Sequence, residues 1–155
     1  MAAAEPGATA ILEGEGIEGT VSFTETASGI LLVTVEASGV PAGTHGFHIH
    51  ETGACEAEGG FESAGGHLAG DKEHGIMNEN GPHPGDLPNI HVGDDGELMV
   101  EYFAHNLTLG EGDGTSLMDE DGAAVMIHAG PDDYMTDPSG HSGDRIACGV
   151  IESAS

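Results

Sequence analysis

The sequence predicts an all-β fold, an antiparallel β-sandwich or flattened barrel of seven to eight strands with two long functional loops. Three observations predict it. The 155 residues include 27 glycines, no Trp and few aromatics, which suits short strands and tight turns better than a helical bundle. Several segments of six to nine residues alternate apolar and polar side chains with the period of a half-buried strand. Two stretches, Thr52–Ile90 and Ala129–Asp144, lack that period yet hold four of the ten histidines, which marks them as functional loops.

The elements follow in order. A first strand is expected near Ala10–Gly16, and a second in "GTVSFTET", where Val21 and Phe23 share one face and Ser22 and Thr24 the other. Ile30–Ser38, Gly46–His50, Leu98–Ala104, Ala123–His128 and Arg145–Ile151 read in the same way. Asp94–Gly96 and Asp119–Gly122 are turns, since neither continues into a calcium loop with its closing Glu. The length suits one domain over 1–155, with residues 1–9 as a loosely ordered N-terminus.

Twenty-eight carboxylates face two cations, Lys72 and Arg145, for a formal charge of −26. A surface of that sign repels nucleic acid and anionic membranes, so neither is expected as a partner. Adaptation to high salt explains such an acidic coat, and ordinary solubility is the alternative. No apolar run approaches the ~20 residues of a membrane span. "MAAAEPGATA" lacks the basic start and apolar core of a signal peptide, so the chain is made without one or is a mature form with a start Met added. Cys55 and Cys148 are two free core thiols or one bridge; a bridge would close a loop of about 90 residues and contribute roughly 4–5 kcal/mol in the chain-entropy picture.

The histidines carry the chemistry. His48 and His50 are two apart, which on a strand puts both rings on one face, about 6–7 Å apart, a suitable bite for one ion. Alone, that pair fits hydrogen-bonded structural histidines equally well. "SAGGHLAGDKEHGIMNENGPHPGD" adds His67, His74, His83 and Asp86. Three imidazoles and one carboxylate make a closed tetrahedral set suited to Zn²⁺. His128 ends the apolar strand "AVMIH" and offers a further ligand to His48 and His50; an all-imidazole set favours copper.

"GFHIHETGAC", "SAGGH", "KEHG", "GPHPGDLPN", "VMIHAGPDDY" and "SGDRIACGVI" occur in the order and approximate spacing of the copper/zinc superoxide dismutases. The chain resembles the bacterial members of that family from about Ala10 to Ile151. The resemblance implies a Greek-key barrel that disproportionates superoxide through a Cu²⁺/Cu⁺ cycle. It implies copper ligands at His48, His50, His67 and His128, and zinc ligands at His67, His74, His83 and Asp86, with His67 bridging the two ions and passing a proton. Asp132 resembles the carboxylate that hydrogen-bonds a ligand of each ion, and Arg145 the residue that holds the substrate anion. Cys55 and Cys148 resemble the family's disulfide, and His45 a neighbour of the copper strand that is not a ligand. The family is usually dimeric, which allows a homodimer without requiring one; the setting implied is the periplasm or outside the cell, or the cytoplasm if Met1 is the native start.

The match loosens in places. The step from His67 to His74 is seven residues, one fewer than in animal cytosolic members, so the zinc loop takes a shorter path. Ser139 stands where a channel Thr is common, and His141 where Asn is expected. The competing functions are a copper/zinc-binding or copper-buffering module without turnover, and a dismutase-like structural domain. Retention of Arg145 with every copper ligand favours the enzyme.

Overall fold

Val21 and Phe23, alternate residues of one segment, are fully buried, as are Leu31, Val33 and Val35 of the next. Strand alternation therefore builds one core between the faces of a curled sheet. The computed structural model describes residues 6–69, 72–110, 115–118, 120–137 and 139–154. Its strands are β1 (Ala8–Gly14), β2 (Ile17–Glu25), β3 (Leu31–Ser38), β4 (Gly43–His50), β5 (Asp86–Val92), β6 (Leu98–Ala104), β7 (Leu107–Thr108), β8 (Thr115–Ser116), β9 (Ala124–His128) and β10 (Arg145–Ser153).

Eight of them form one antiparallel sheet in the order β5-β4-β9-β10-β1-β2-β3-β6, and β7 and β8 make a short parallel pair. The connections from β3 to β4 and from β6 to β9 cross between distant places in that order, in the Greek-key manner. The terminal strands approach one another: the Tyr102 hydroxyl on β6 donates to the Asn89 carbonyl on β5 at 3.0 Å, so the barrel is nearly closed. Among the described residues, no helix is long and apolar enough to cross a membrane.

The expected strands are present with small shifts at their ends. The first begins at Ala8, paired with Ser153 and Phe23, inside the stretch 1–9 expected to be loosely ordered; residues 1–5 lie outside the described residues. Asp119, in the expected turn Asp119–Gly122, also lies outside them. The larger correction is β5. The loop expected over Thr52–Ile90 ends at Asp86, where a strand begins. Asn89 and Ile90 are buried in succession, so the period of two breaks and the strand escapes a pattern search. The break is a bulge: Leu87 pairs Phe47 and Ile90 pairs His45, leaving Pro88 and Asn89 opposite Gly46 alone.

A second apolar cluster of Phe61, Ala64, Ala124, Met126 and Cys148 lies under the loop that follows β4. There Cys55 and Cys148 form a disulfide with Cα atoms 5.7 Å apart, tying the loop to β10 across a sequence separation of 93. Closing a loop of that length contributes about 4–5 kcal/mol by restricting the unfolded chain. Cys55→Ser should therefore lower the denaturant midpoint by an equivalent amount. A loss under about 1 kcal/mol would show that Phe61 packing alone holds the loop.

Candidate metal centre

β4 is buried on both faces. Phe47 and Ile49 join the core, and the alternate residues Gly46, His48 and His50 point outward, where the loops cover them. β9 lies alongside, pairing Met126 with His48, and ends at His128. A single antiparallel bridge sets His67 against His50. Backbone pairing thus converges four rings: the centroid of His67 is 4.1 Å from that of His48 and 4.9 Å from that of His50, and His128 is 4.8 Å from His48.

One nitrogen of each of these rings is buried without a hydrogen-bond partner: His48 Nδ1, His50 Nε2, His67 Nε2 and His128 Nε2. The opposite nitrogen of His48, His50 and His128 is engaged. His48 Nε2–H donates to Asp132 Oδ2 at 2.7 Å, His50 Nδ1–H to the Gly65 carbonyl at 2.9 Å, and His128 Nδ1–H to the Gly143 carbonyl at 3.3 Å. Those bonds fix each tautomer and leave a lone pair aimed at a common point. Buried polar atoms are seldom left unpartnered, so four lone pairs within 4.8 Å of one another fit a cation.

The second cluster shares His67. Asp86 Oδ1 lies 3.0 Å from His67 Nδ1, 3.0 Å from His74 Nδ1 and 3.3 Å from His83 Nδ1, and the Nδ1 atoms of His67 and His83 are 3.3 Å apart. A tetrahedron with zinc–ligand bonds of about 2.0 Å has edges of about 3.3 Å, so these spacings fit that ion. Asp86 Oδ2 is held away by the backbone N–H groups of Gly75 and His83, each at 2.9 Å. A grouping by distance alone puts His48 in this set in place of His83. Yet the free nitrogen of His48 belongs to the first set and its other nitrogen is bonded to Asp132, so His83 is the fourth member.

Asp132 joins the two clusters. Its Oδ2 accepts from His48 and its Oδ1 accepts from His74 Nε2–H, each at 2.7 Å. Gly140 covers this carboxylate at φ +68, and a Cβ there would collide with Asp132 Oδ1. Gly46 meets the same demand on β4: a Cβ would press on the Ser142 side chain and on the His48 ring. The sequence did not mark either glycine, because a close approach leaves no trace in a periodic pattern.

The electrostatics of His50, His67 and His128 agree with ligation. Burial, followed by the neighbouring His67, lowers His50 to about 2. Burial, followed by His48, lowers His128 to about 3. Burial lowers His67 to about 4 against the pull of Asp86. All three are neutral, with open lone pairs, at neutral pH. For His74 burial is outweighed by the carboxylates of Asp132 and Asp86, which raise it to about 9. Burial would raise Asp86 and Asp132, but hydrogen bonds from His67, His74 and His83, and from His48 and His74, hold both carboxyls well below the usual range.

The remaining sequence candidates fall as follows. Arg145 opens β10 opposite His128; its Nη1 donates to the Phe61 carbonyl at 2.8 Å, and its charge acts on His50 and His128. His45 stands outside both sets, with ring nitrogens 2.8 Å from the His128 carbonyl and 2.7 Å from that of Pro41. His141 also stands outside: it is exposed, with Nδ1 4.0 Å from Asp133 Oδ2. Asp137, which no motif singled out, accepts from the backbone N–H of His74 at 2.9 Å.

The family model described as copper/zinc superoxide dismutase matches residues 17–151. The chain belongs to that family. It is 46% identical to Cu-Zn superoxide dismutase 1 of Aquifex aeolicus over 142 residues, covering 90% of this chain and 82% of that one. It is 41% identical to the Cu-Zn superoxide dismutase of Caulobacter vibrioides over 150 residues, covering 94% and 85%. The crystal structure of a SOD-like protein from Bacillus subtilis superposes with a TM-score of 0.85 at 42% identity, covering 92% of this chain and 96% of that one. Copper and zinc are the cofactors of this dismutase family, and the two histidine groups supply donor sets that fit them.

The lowered histidines stabilise the fold fully above their ordinary pKa of 6.5, and that contribution is lost as pH falls toward their folded values. His74, being raised, contributes fully below 6.5 and loses its contribution as pH rises through about 9. The chelator-stripped protein should therefore melt highest near pH 6.5 and lower on either side. A melting temperature that climbs from pH 6 to 5, or stays level to pH 9, would contradict these assignments.

Proposed function

We propose that this chain disproportionates superoxide, two superoxide anions and two protons giving dioxygen and hydrogen peroxide. His48 Nδ1, His50 Nε2, His67 Nε2 and His128 Nε2 would hold copper; His67 Nδ1, His74 Nδ1, His83 Nδ1 and Asp86 Oδ1 would hold zinc. The observation that carries this reading is the His67 ring. Its Nε2 belongs to a set of four buried lone pairs, and its Nδ1 to a set with tetrahedral spacing.

When bound, copper supplies a one-electron couple for both half-reactions, and zinc, which has no second oxidation state, supplies fixed charge. The side chains do the rest. Arg145 supplies the local positive charge that draws the substrate anion, in a chain with one other cation. The Phe61 carbonyl aims its guanidinium, so the disulfide loop and the anion site are mechanically linked. His67 Nε2 would ligate copper or, when free of it, hold a proton for the peroxide product. Asp132 keeps His48 and His74 in the tautomers that ligation needs. Disulfides persist in oxidising compartments, which supports a periplasmic or extracellular setting.

Superoxide decay measured on metal-replete protein tests the reading. The parent should accelerate decay, and Arg145→Ala should lower kcat/KM about tenfold while binding both ions equally well. Equal rates would remove Arg145 from the mechanism. Activity in neither protein would favour the metal-binding module.

The acidic coat has a kinetic consequence. With 28 carboxylates against two cations the long-range field repels an anion, while at ~1 M salt the Debye length is about 3 Å and local attraction by Arg145 remains. Activity should be level or rise as salt is added from low ionic strength. A steep fall in kcat/KM would show attractive net steering and contradict the salt-adaptation reading.

A further inference from the structure

Asn89 lies in the β5 bulge, 8% exposed, and each of its four polar atoms has a partner. The bulge is the reason. Two residues opposing one leave the Asn89 backbone outside the β4–β5 ladder and turn its side chain inward. Pro88, beside it, has no N–H to lose. The freed Asn89 N–H donates to the Tyr134 hydroxyl at 2.9 Å, and the freed carbonyl accepts from Tyr102 at 3.0 Å. The phenols of Tyr102 and Tyr134, the chain's only two tyrosines, thus satisfy the bulge.

The side-chain amide then grips one residue at both ends. Its Oδ1 accepts from the Asp132 N–H at 2.9 Å, and its Nδ2 donates to the Asp132 carbonyl at 3.0 Å. One orientation of the amide satisfies both bonds. Asp132 is the residue whose carboxylate reaches His48 in one ligand set and His74 in the other.

We infer that Asn89 is a positioning residue for both metal sites, holding the Asp132 backbone so that its carboxylate fixes one ring of each set. The inference rests on the metal assignment proposed above. Asn89 touches neither ion nor substrate; it acts through Asp132. A neighbour that orients a ligand is commonly worth 10–100-fold in metal affinity, and Asn89, one step further out, stands at the lower end of that range, about tenfold.

The test measures zinc and copper affinity by chelator competition, together with the visible Cu²⁺ absorption band. It compares parent, Asn89→Ala, Asp132→Ala, the double variant and Tyr102→Phe. Asn89→Ala should weaken zinc binding about tenfold and shift the copper band. In the Asp132→Ala background it should have no further effect, because its route is gone. Tyr102→Phe, which removes a bond to the Asn89 carbonyl alone, should lower the melting temperature and leave both affinities unchanged. Should Asn89→Ala not fold, Asn89→Asp keeps the size and the acceptor oxygen, lacks the donor, and should weaken zinc in the same direction.

Parental affinity and spectrum in a folded Asn89 variant that has lost only thermal stability would overturn the inference. So would losses that add in the double variant. A parent that binds neither ion would overturn the metal assignment itself and the inference with it.

Discussion

The structure turns on a demand that hydrogen bonds within the protein do not meet. His48, His50, His67 and His128 direct four buried nitrogen lone pairs at one another. Leaving polar atoms there without partners is costly, and a cation relieves them all at once. The remaining ring nitrogens of His48, His50 and His128 are given to Asp132 and the carbonyls of Gly65 and Gly143, and that of His67 faces Asp86, so each lone pair has one direction left. A metal bound there would concentrate positive charge at one place in a chain of formal charge −26.

The fold serves that demand by backbone means. Strand pairing brings His48 and His50 beside β9, whose end presents His128, and a bridge brings His67 into line. The disulfide and Phe61 hold the first loop down, and the Phe61 carbonyl passes that restraint to Arg145. Asp132 ties the second loop to both clusters, and Gly140 lets the chain pass over it. Ordered loops of this length are unusual, and here polar bonds to histidines order them.

Much of this was legible in the chain. Side chains that alternate in and out leave a period of two, which revealed the strands carrying His48, His50 and His128. Histidines gathered around one Asp within a short stretch pointed to His67, His74, His83 and Asp86, and the fold brings those four side chains together. What stayed hidden has a common cause. β5 was read as loop because its bulge breaks the alternation at Asn89. Gly46 and Gly140 matter for what passes close to them in space, and Asp137 serves through a backbone N–H of a residue 63 positions away. Periodicity and local composition report on neighbours along the chain, whereas these roles are set by neighbours across it.

The central claim is that one imidazole, His67, faces two different ions. Anomalous diffraction from crystals loaded with both metals, collected at the copper and zinc edges, tests it most directly. Copper density at His67 Nε2 and zinc density at His67 Nδ1, in the same chain, is the predicted result. Both ions at a single position, or a His67 ring bound to one ion while the other lies elsewhere, would contradict it.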